Sequence, residues 1–192
     1  MDILIVDVES TCWDNDQEKG NQTSEIIEIG YTPIINGKAG KPGSIFIKPE
    51  HSKLSGFCTK LTSITSELLN EKGLTPKEGY QKLASIMNKF DTWGSWGFYD
   101  LNQIKRMFEL YHINDFLPKK HINVRQLYAE KIYDSDDFKK APNNPADAMH
   151  KVGLSFKGVN HRGSDDTFNI ARIYEKLVGK KVKDVLKSVF KV

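Results

Sequence analysis

Two carboxylates end the first apolar run of this chain. In ILIVDVES, residues 3–10, four consecutive apolar residues lead into Asp7, and Glu9 follows two positions later. A short β-rich run of this kind reads as one buried strand, and along a strand residues i and i+2 point to the same side. Asp7 and Glu9 therefore share a face, with Val6 and Val8 on the other. Acids held this close repel each other and raise each other's pKa unless something positive sits between them. A divalent cation does this, and an oxygen-only ligand set suits Mg²⁺ or Mn²⁺. The same two residues also fit a strand that has already ended in solvent.

The 192 residues carrying this strand suffice for one domain with a sizeable core. With 39% hydrophobic and 28% charged residues, the composition is that of a folded soluble protein rather than a disordered one. No apolar stretch is long enough for a membrane span. Asp2 and Asp7 bracket only four apolar residues, which does not suit a secretory leader, so the expected setting is intracellular and cytoplasmic. Cys12 and Cys58 have neither the number nor the spacing of a disulfide framework or a zinc site. The net charge of +3 is compatible with a polyanionic partner.

Residues 24–49, SEIIEIGYTPIINGKAGKPGSIFIKP, read as two further strands around a glycine-rich turn at 36–43. Antiparallel strands ahead of any long helix point to an α+β or mixed sheet. Helical signals then take over. Thr75, Pro76 and Glu78 open a helix with a capping box, and Tyr80, Leu83, Met87 and Phe90 form its apolar face. DTWGSWG, 91–97, reads as a short strand-like piece, followed by helices over LNQIKRMFELY and VRQLYAEKIY. A short helix is bounded by Pro145 and Gly153, and a last strong one by Ser164 and Gly179. In the tail, Val182, Val185, Leu186, Val189 and Phe190 alternate with lysines, as in a helix packed on the core or one with a basic face toward a nucleic-acid backbone.

Two more acids extend the pattern. Asp100 opens a helix after WGSWGFY, where it can also serve as an N-cap. Asp166 lies in the first turn of the last helix, where an acid also favours the helix dipole. Four acids would neutralise two divalent cations, the requirement of a two-metal phosphoryl-transfer site. His161 precedes Asp166 by five positions, about 140° apart on one helix, so the two converge only if His161 lies on the entering loop. Gly163 makes such a loop possible. A histidine there can accept a proton from attacking water near neutral pH.

In DVE, SWGFYD and HRGSDD the chain resembles the three motifs of the DEDDh 3′→5′ exonucleases, and DVESTCW, SEIIEIG, LSGFCTKLTSIT, INVRQLY and HRGSDDTFNIARI look like the histone-mRNA 3′-exonuclease branch. The resemblance implies an α/β, ribonuclease-H-like fold: a central mixed five-stranded sheet flanked by helices. It implies an exonuclease domain over 1–178; residues 179–192, beyond the resemblance, are expected from their patterning to form a basic amphipathic helix packed on the same domain. Asp7, Glu9, Asp100 and Asp166 would hold two Mg²⁺ or Mn²⁺ ions, and His161 would act as general base. The implied reaction is hydrolysis from the 3′ end of single-stranded nucleic acid, RNA favoured over DNA, releasing nucleoside 5′-monophosphates. A DNA exonuclease and a catalytically silent binding module on the same fold are the alternatives. Thr11, Trp13, Thr62, Trp96 and Phe98 are the expected substrate contacts, although each aromatic also suits a core and Thr62 a helix cap. Phe98 departs from the family pattern, standing where many relatives carry an acid.

Overall fold

The computed structural model describes residues 2–114 and 120–179. β1 (Ile3–Ser10) pairs antiparallel along its length with β2 (Ile26–Ile35), after a single-turn helix α1 (Asp16–Lys19). β3 (Lys38–Ala39) and β4 (Gly43–Phe46) both return antiparallel onto β2. Three helices follow: α2 (Gly56–Thr62), α3 (Ser66–Lys72) and α4 (Pro76–Met87). β5 (Thr92–Ser95) then runs parallel to β1, and α5 (Tyr99–Leu110) leads to β6 (Lys120–Asn123), parallel to β5. The last elements among the described residues are α6 (Val124–Tyr133), α7 (Pro145–Met149) and α8 (Gly163–Gly179).

The mixed, helix-flanked sheet is present, with six strands among the described residues where five were expected. Asn36 and Gly37, at φ 52° and 74°, form a two-residue hairpin turn that makes a separate strand of β3 inside the expected loop. β6 carries too few apolar residues to announce itself as a strand. The capping box of Thr75 and Glu78 forms as expected. Ser164 does not cap the last helix, because α8 begins one residue earlier, at Gly163. The tail expected to form a basic helix lies, from residue 180 on, outside the described residues.

Alternation along β1 builds two cores. Leu4, Val6 and Val8 pack on one side with Leu83, Met87, Ile104 and Met107 of α4 and α5. Ile3 and Ile5 pack on the other with Val124 and Tyr128 of α6 and Ile170 and Ile173 of α8. Asp7 and Glu9 continue the Ile3–Ile5 face, so the strand aims them at the α8 layer.

α8 lies along β2 on that face. Thr32 Oγ1 meets Thr167 Oγ1 at 3.0 Å. One turn nearer the helix start, Gly30 and Gly163 touch backbone to backbone: a Cβ on Gly163 would stand 2.8 Å from Gly30 N and 3.1 Å from its Cα. A Cβ on Gly30 would overlap the Gly163 carbonyl group. Since Gly30 is the register partner of Asp7, this contact fixes how close α8 comes to the acids. Gly30→Ala is therefore expected to cost at least about 3 kcal/mol, at the upper end for overpacking, in urea unfolding. A loss under about 1 kcal/mol would show that the contact is not tight.

Candidate active site

The tip of β1, the start of α5 and the start of α8 enclose a cavity of about 330 Å³, lined by Asp7, Glu9, Asp100, His161 and Asp166 with Trp96, Tyr99 and the 143–145 segment. One carboxylate oxygen from each of Asp7, Glu9 and Asp166 lies within 4.8 Å of the others. Asp166 Oδ1 is buried with no hydrogen-bond partner among the described residues. Burial pushes the Asp7 carboxyl well above its ordinary range, and the negative charges of Asp100, Glu9, Asp166 and Glu28 push it further. Burial and the same acidic neighbourhood raise Glu9 to about 8, an effect that the Arg162 guanidinium opposes. Burial also raises Asp166 to about 7. Clustered, desolvated oxygens with one orphaned acceptor fit a hard divalent cation.

Asp100 is the second residue of α5 and does not cap it; Phe98 holds the cap position, without a side-chain hydrogen bond. Asp100 Oδ1 instead accepts the Val8 N–H at 3.0 Å, tying α5 to β1. Burial raises its carboxyl to about 6, with the Val8 bond pulling the other way. Of the adjacent acids on α8, Asp166 faces the cluster, whereas Asp165 Oδ2 accepts the Val159 N–H at 2.8 Å.

His161 does lie on the loop entering α8. The left-handed residue there is His161 itself, at φ 60°, and not Gly163. Gly163 is needed for its contact with Gly30 instead.

The expected substrate contacts separate into two groups. Trp96 lines the cavity, but its indole is buried and donates to the Pro142 and Asn143 carbonyls at 3.2 and 2.9 Å. Phe98 is exposed and Trp13 half-buried, and neither lines the cavity. The two threonines are interior. Thr11 Oγ1 shares a 2.9 Å hydrogen bond with Ser52 and accepts Glu25 N–H, and Thr62 Oγ1 donates to the Cys58 carbonyl at 2.9 Å. Neither hydroxyl reaches the surface, and Thr65, not Thr62, caps α3.

Glu28 escaped the sequence reading. Fully buried on β2 and paired in register with Glu9, it accepts from Arg162 Nε and Gly163 N–H, both at 3.2 Å, and from Ser44 Oγ. It thereby holds the Arg162 cation beside the acids and caps α8 from outside the helix. The signal was an acid two positions before a glycine inside the apolar run IIEIG.

A family model described as Exonuclease (RNase_T) matches residues 4–174. Human 3′-5′ exoribonuclease 1 is 29% identical over 189 residues, which cover 89% of this chain and 50% of that protein. The 3′-5′ exonuclease Snipper of Drosophila melanogaster is 28% identical over 201 residues, 92% of this chain and 69% of that protein. ERI1 exoribonuclease 2 of Xenopus laevis is 26% identical, and there the chain spans only 28% of its relative's length. Among solved structures, a full-length 3′-exonuclease aligns with a TM-score of 0.75 at 25% identity, over 93% of this chain and 81% of the other. The nuclease domain of 3′hExo, a DEDDh family member bound to rAMP, aligns with a TM-score of 0.78 at 24% identity, over 93% and 92%. The ribonuclease-H-like architecture is therefore shared with these enzymes.

Raised carboxyl pKa values mean that the folded chain holds protons that the unfolded chain releases. Stability contributed by these groups is thus present below their ordinary values near 4 and is lost as pH rises toward about 8. In chelator, the melting temperature should fall between pH 5 and 8, and Mg²⁺ or Mn²⁺ should raise it more at pH 8 than at pH 5. A flat profile in chelator would count against a mutually repelling cluster. Glu28→Ala leaves Arg162 and the Gly163 N–H without their carboxylate and should cost about 2 kcal/mol, measured by urea unfolding; an unchanged midpoint would remove Glu28 from this role.

Proposed function

This chain belongs to the exonuclease (RNase_T) family, and we propose that it hydrolyses single-stranded nucleic acid from the 3′ end, RNA in preference to DNA, releasing nucleoside 5′-monophosphates. The observation that carries the reading is the convergence of Asp7, Glu9 and Asp166 within 4.8 Å, with His161 lining the same cavity. The preference for RNA rests on the relatives, human 3′-5′ exoribonuclease 1 among them.

The all-oxygen donor set favours Mg²⁺ or Mn²⁺ over softer metals. Asp100, the strongest acidic influence on Asp7, is the proposed fourth ligand, so that four carboxylates balance two dications. Bound there, such ions supply Lewis acidity, acidifying the attacking water and neutralising charge on the leaving oxygen.

The chain's own residues do the rest. An imidazole nitrogen of His161 accepts the proton of the water that attacks phosphorus. The bond between phosphorus and the 3′-oxygen of the preceding nucleotide breaks, that oxygen takes up a proton from solvent to become the new 3′-hydroxyl, and the terminal nucleotide departs as its 5′-monophosphate. Glu28 and Arg162 hold the start of α8, and with it the approach of His161 and Asp166 to the reacting phosphate. Trp96, pinned by its indole, forms a wall of the cavity, and Trp13 and Phe98 are proposed to border the substrate's path.

The test is a time course on matched 5′-labelled RNA and DNA oligonucleotides with Mg²⁺, with Mn²⁺ and with chelator. A metal-dependent ladder shortening from the 3′ end, faster on RNA, is expected. Asp7→Ala should lower the rate at least about a hundredfold while raising the chelator melting temperature. A faster DNA ladder would reverse the substrate preference. Binding without cleavage would replace the enzyme by a silent module.

A further inference from the structure

Outside the carboxylate cavity stands an aromatic surface for which the chemistry has no use. Phe98 precedes α5 and keeps 45% of its surface in water. Its ring meets Phe138 edge to face, with centroids 5.7 Å apart and planes at 90°. The His121 ring centre lies 6.1 Å from that of Phe98, and Arg125 places its guanidinium carbon 5.2 Å from the Phe138 ring centre. Lys139 and Lys140, both exposed, follow Phe138 directly. Asp136 and Asp137 precede it, and Asp137 Oδ1 is occupied by the Lys139 N–H at 3.0 Å.

This surface shares a wall with the active site. Arg125 Nε and Nη2 donate to the Ala141 carbonyl at 3.1 and 2.7 Å. The Trp96 indole holds the next two carbonyls, those of Pro142 and Asn143. Asn143 and Asn144 then line the cavity. At the start of α5, Phe98 is followed directly by Tyr99, which also lines the cavity. Phe98 is therefore one residue, and Phe138 five residues, away in the chain from a residue that lines the cavity, and the 141–143 segment that follows Phe138 is tied at successive carbonyls.

An exposed ring held by its neighbours, beside a guanidinium and two lysines, suits a planar group joined to an anion, which is the chemistry of a nucleotide in a single strand. Position decides which nucleotide. An enzyme that releases mononucleotides has only one nucleotide on the 3′ side of the scissile phosphate. A base that reaches beyond the cavity lining belongs to the 5′ side. Resting on the exonuclease reading, we infer that Phe98 and Phe138 form a stacking shelf for the bases of the second and third nucleotides from the 3′ end, with Lys139 and Lys140 near the intervening phosphates. Substrate length, not the chemical step, is what this shelf reads.

The experiment compares kcat/KM on the p-nitrophenyl ester of thymidine 5′-monophosphate, which has no 5′-side nucleotide, with that on a single-stranded RNA octanucleotide. For Phe98→Ala and Phe138→Ala the loss should be roughly tenfold greater on the octanucleotide, within the range for one stacked base, and should lie in KM. Abasic substitution at the second or third position from the 3′ end should lower wild-type kcat/KM to a similar degree, and should add nothing in Phe98→Ala; abasic substitution at the sixth should have no effect. Equal losses on ester and octanucleotide, or an abasic penalty undiminished in Phe98→Ala, would overturn the shelf. The abasic scan on the unaltered protein keeps the test decisive if a variant does not fold, since insensitivity at both positions also overturns it. Should the protein cleave neither substrate, the exonuclease reading fails separately. The shelf is then tested by fluorescence anisotropy of a labelled octanucleotide in chelator, where Phe98→Ala should weaken binding roughly tenfold and an unchanged Kd would refute it.

Discussion

Backbone contact between Gly30 and Gly163 sets the distance on which the whole site depends. A helix resting on a sheet through ordinary side chains stands about 10 Å from it. Here two residues without Cβ atoms let the first turn of α8 settle directly on the strand beside Asp7. Asp166, in that turn, then reaches the carboxylates of β1. Thr32 with Thr167 and Glu28 with Gly163 N–H extend the same contact on either side, so the helix is located at three points along β2.

This proximity has an electrostatic cost. Asp7, Glu9, Asp100 and Asp166 are desolvated together, and each is pushed toward its protonated form. Fold and function pull in opposite directions at this spot: the packing that assembles the acids also penalises their charges. Arg162, held by Glu28, offsets part of the repulsion from within the chain. The remainder is what a divalent cation relieves, which makes metal binding and stability one linked equilibrium.

Sequence reasoning succeeded where one element carried the whole signal. Two-residue alternation was enough to place Asp7 and Glu9 on one face, and the Thr75–Glu78 capping box was local. It failed where the signal spanned elements. Glu28 was visible as an acid in an apolar run, but its task depends on Arg162 and Gly163, which approach it only in three dimensions. Gly163 reads in sequence as a loop-former, whereas its use is to lack a Cβ against Gly30. Thr11 and Thr62 look polar and available in sequence, yet both hydroxyls are consumed inside the fold.

The chain by itself therefore determined which way each side chain points along its own strand or helix, because backbone periodicity fixes direction residue by residue. It also made a divalent-metal site one reading of the acids, since two acids at strand spacing and a histidine ahead of a helix are properties of short segments. The tertiary structure alone decided which of these groups meet. Separations between residues distant in the chain are set by how closely layers pack, and here that closeness rests on two missing methyl groups.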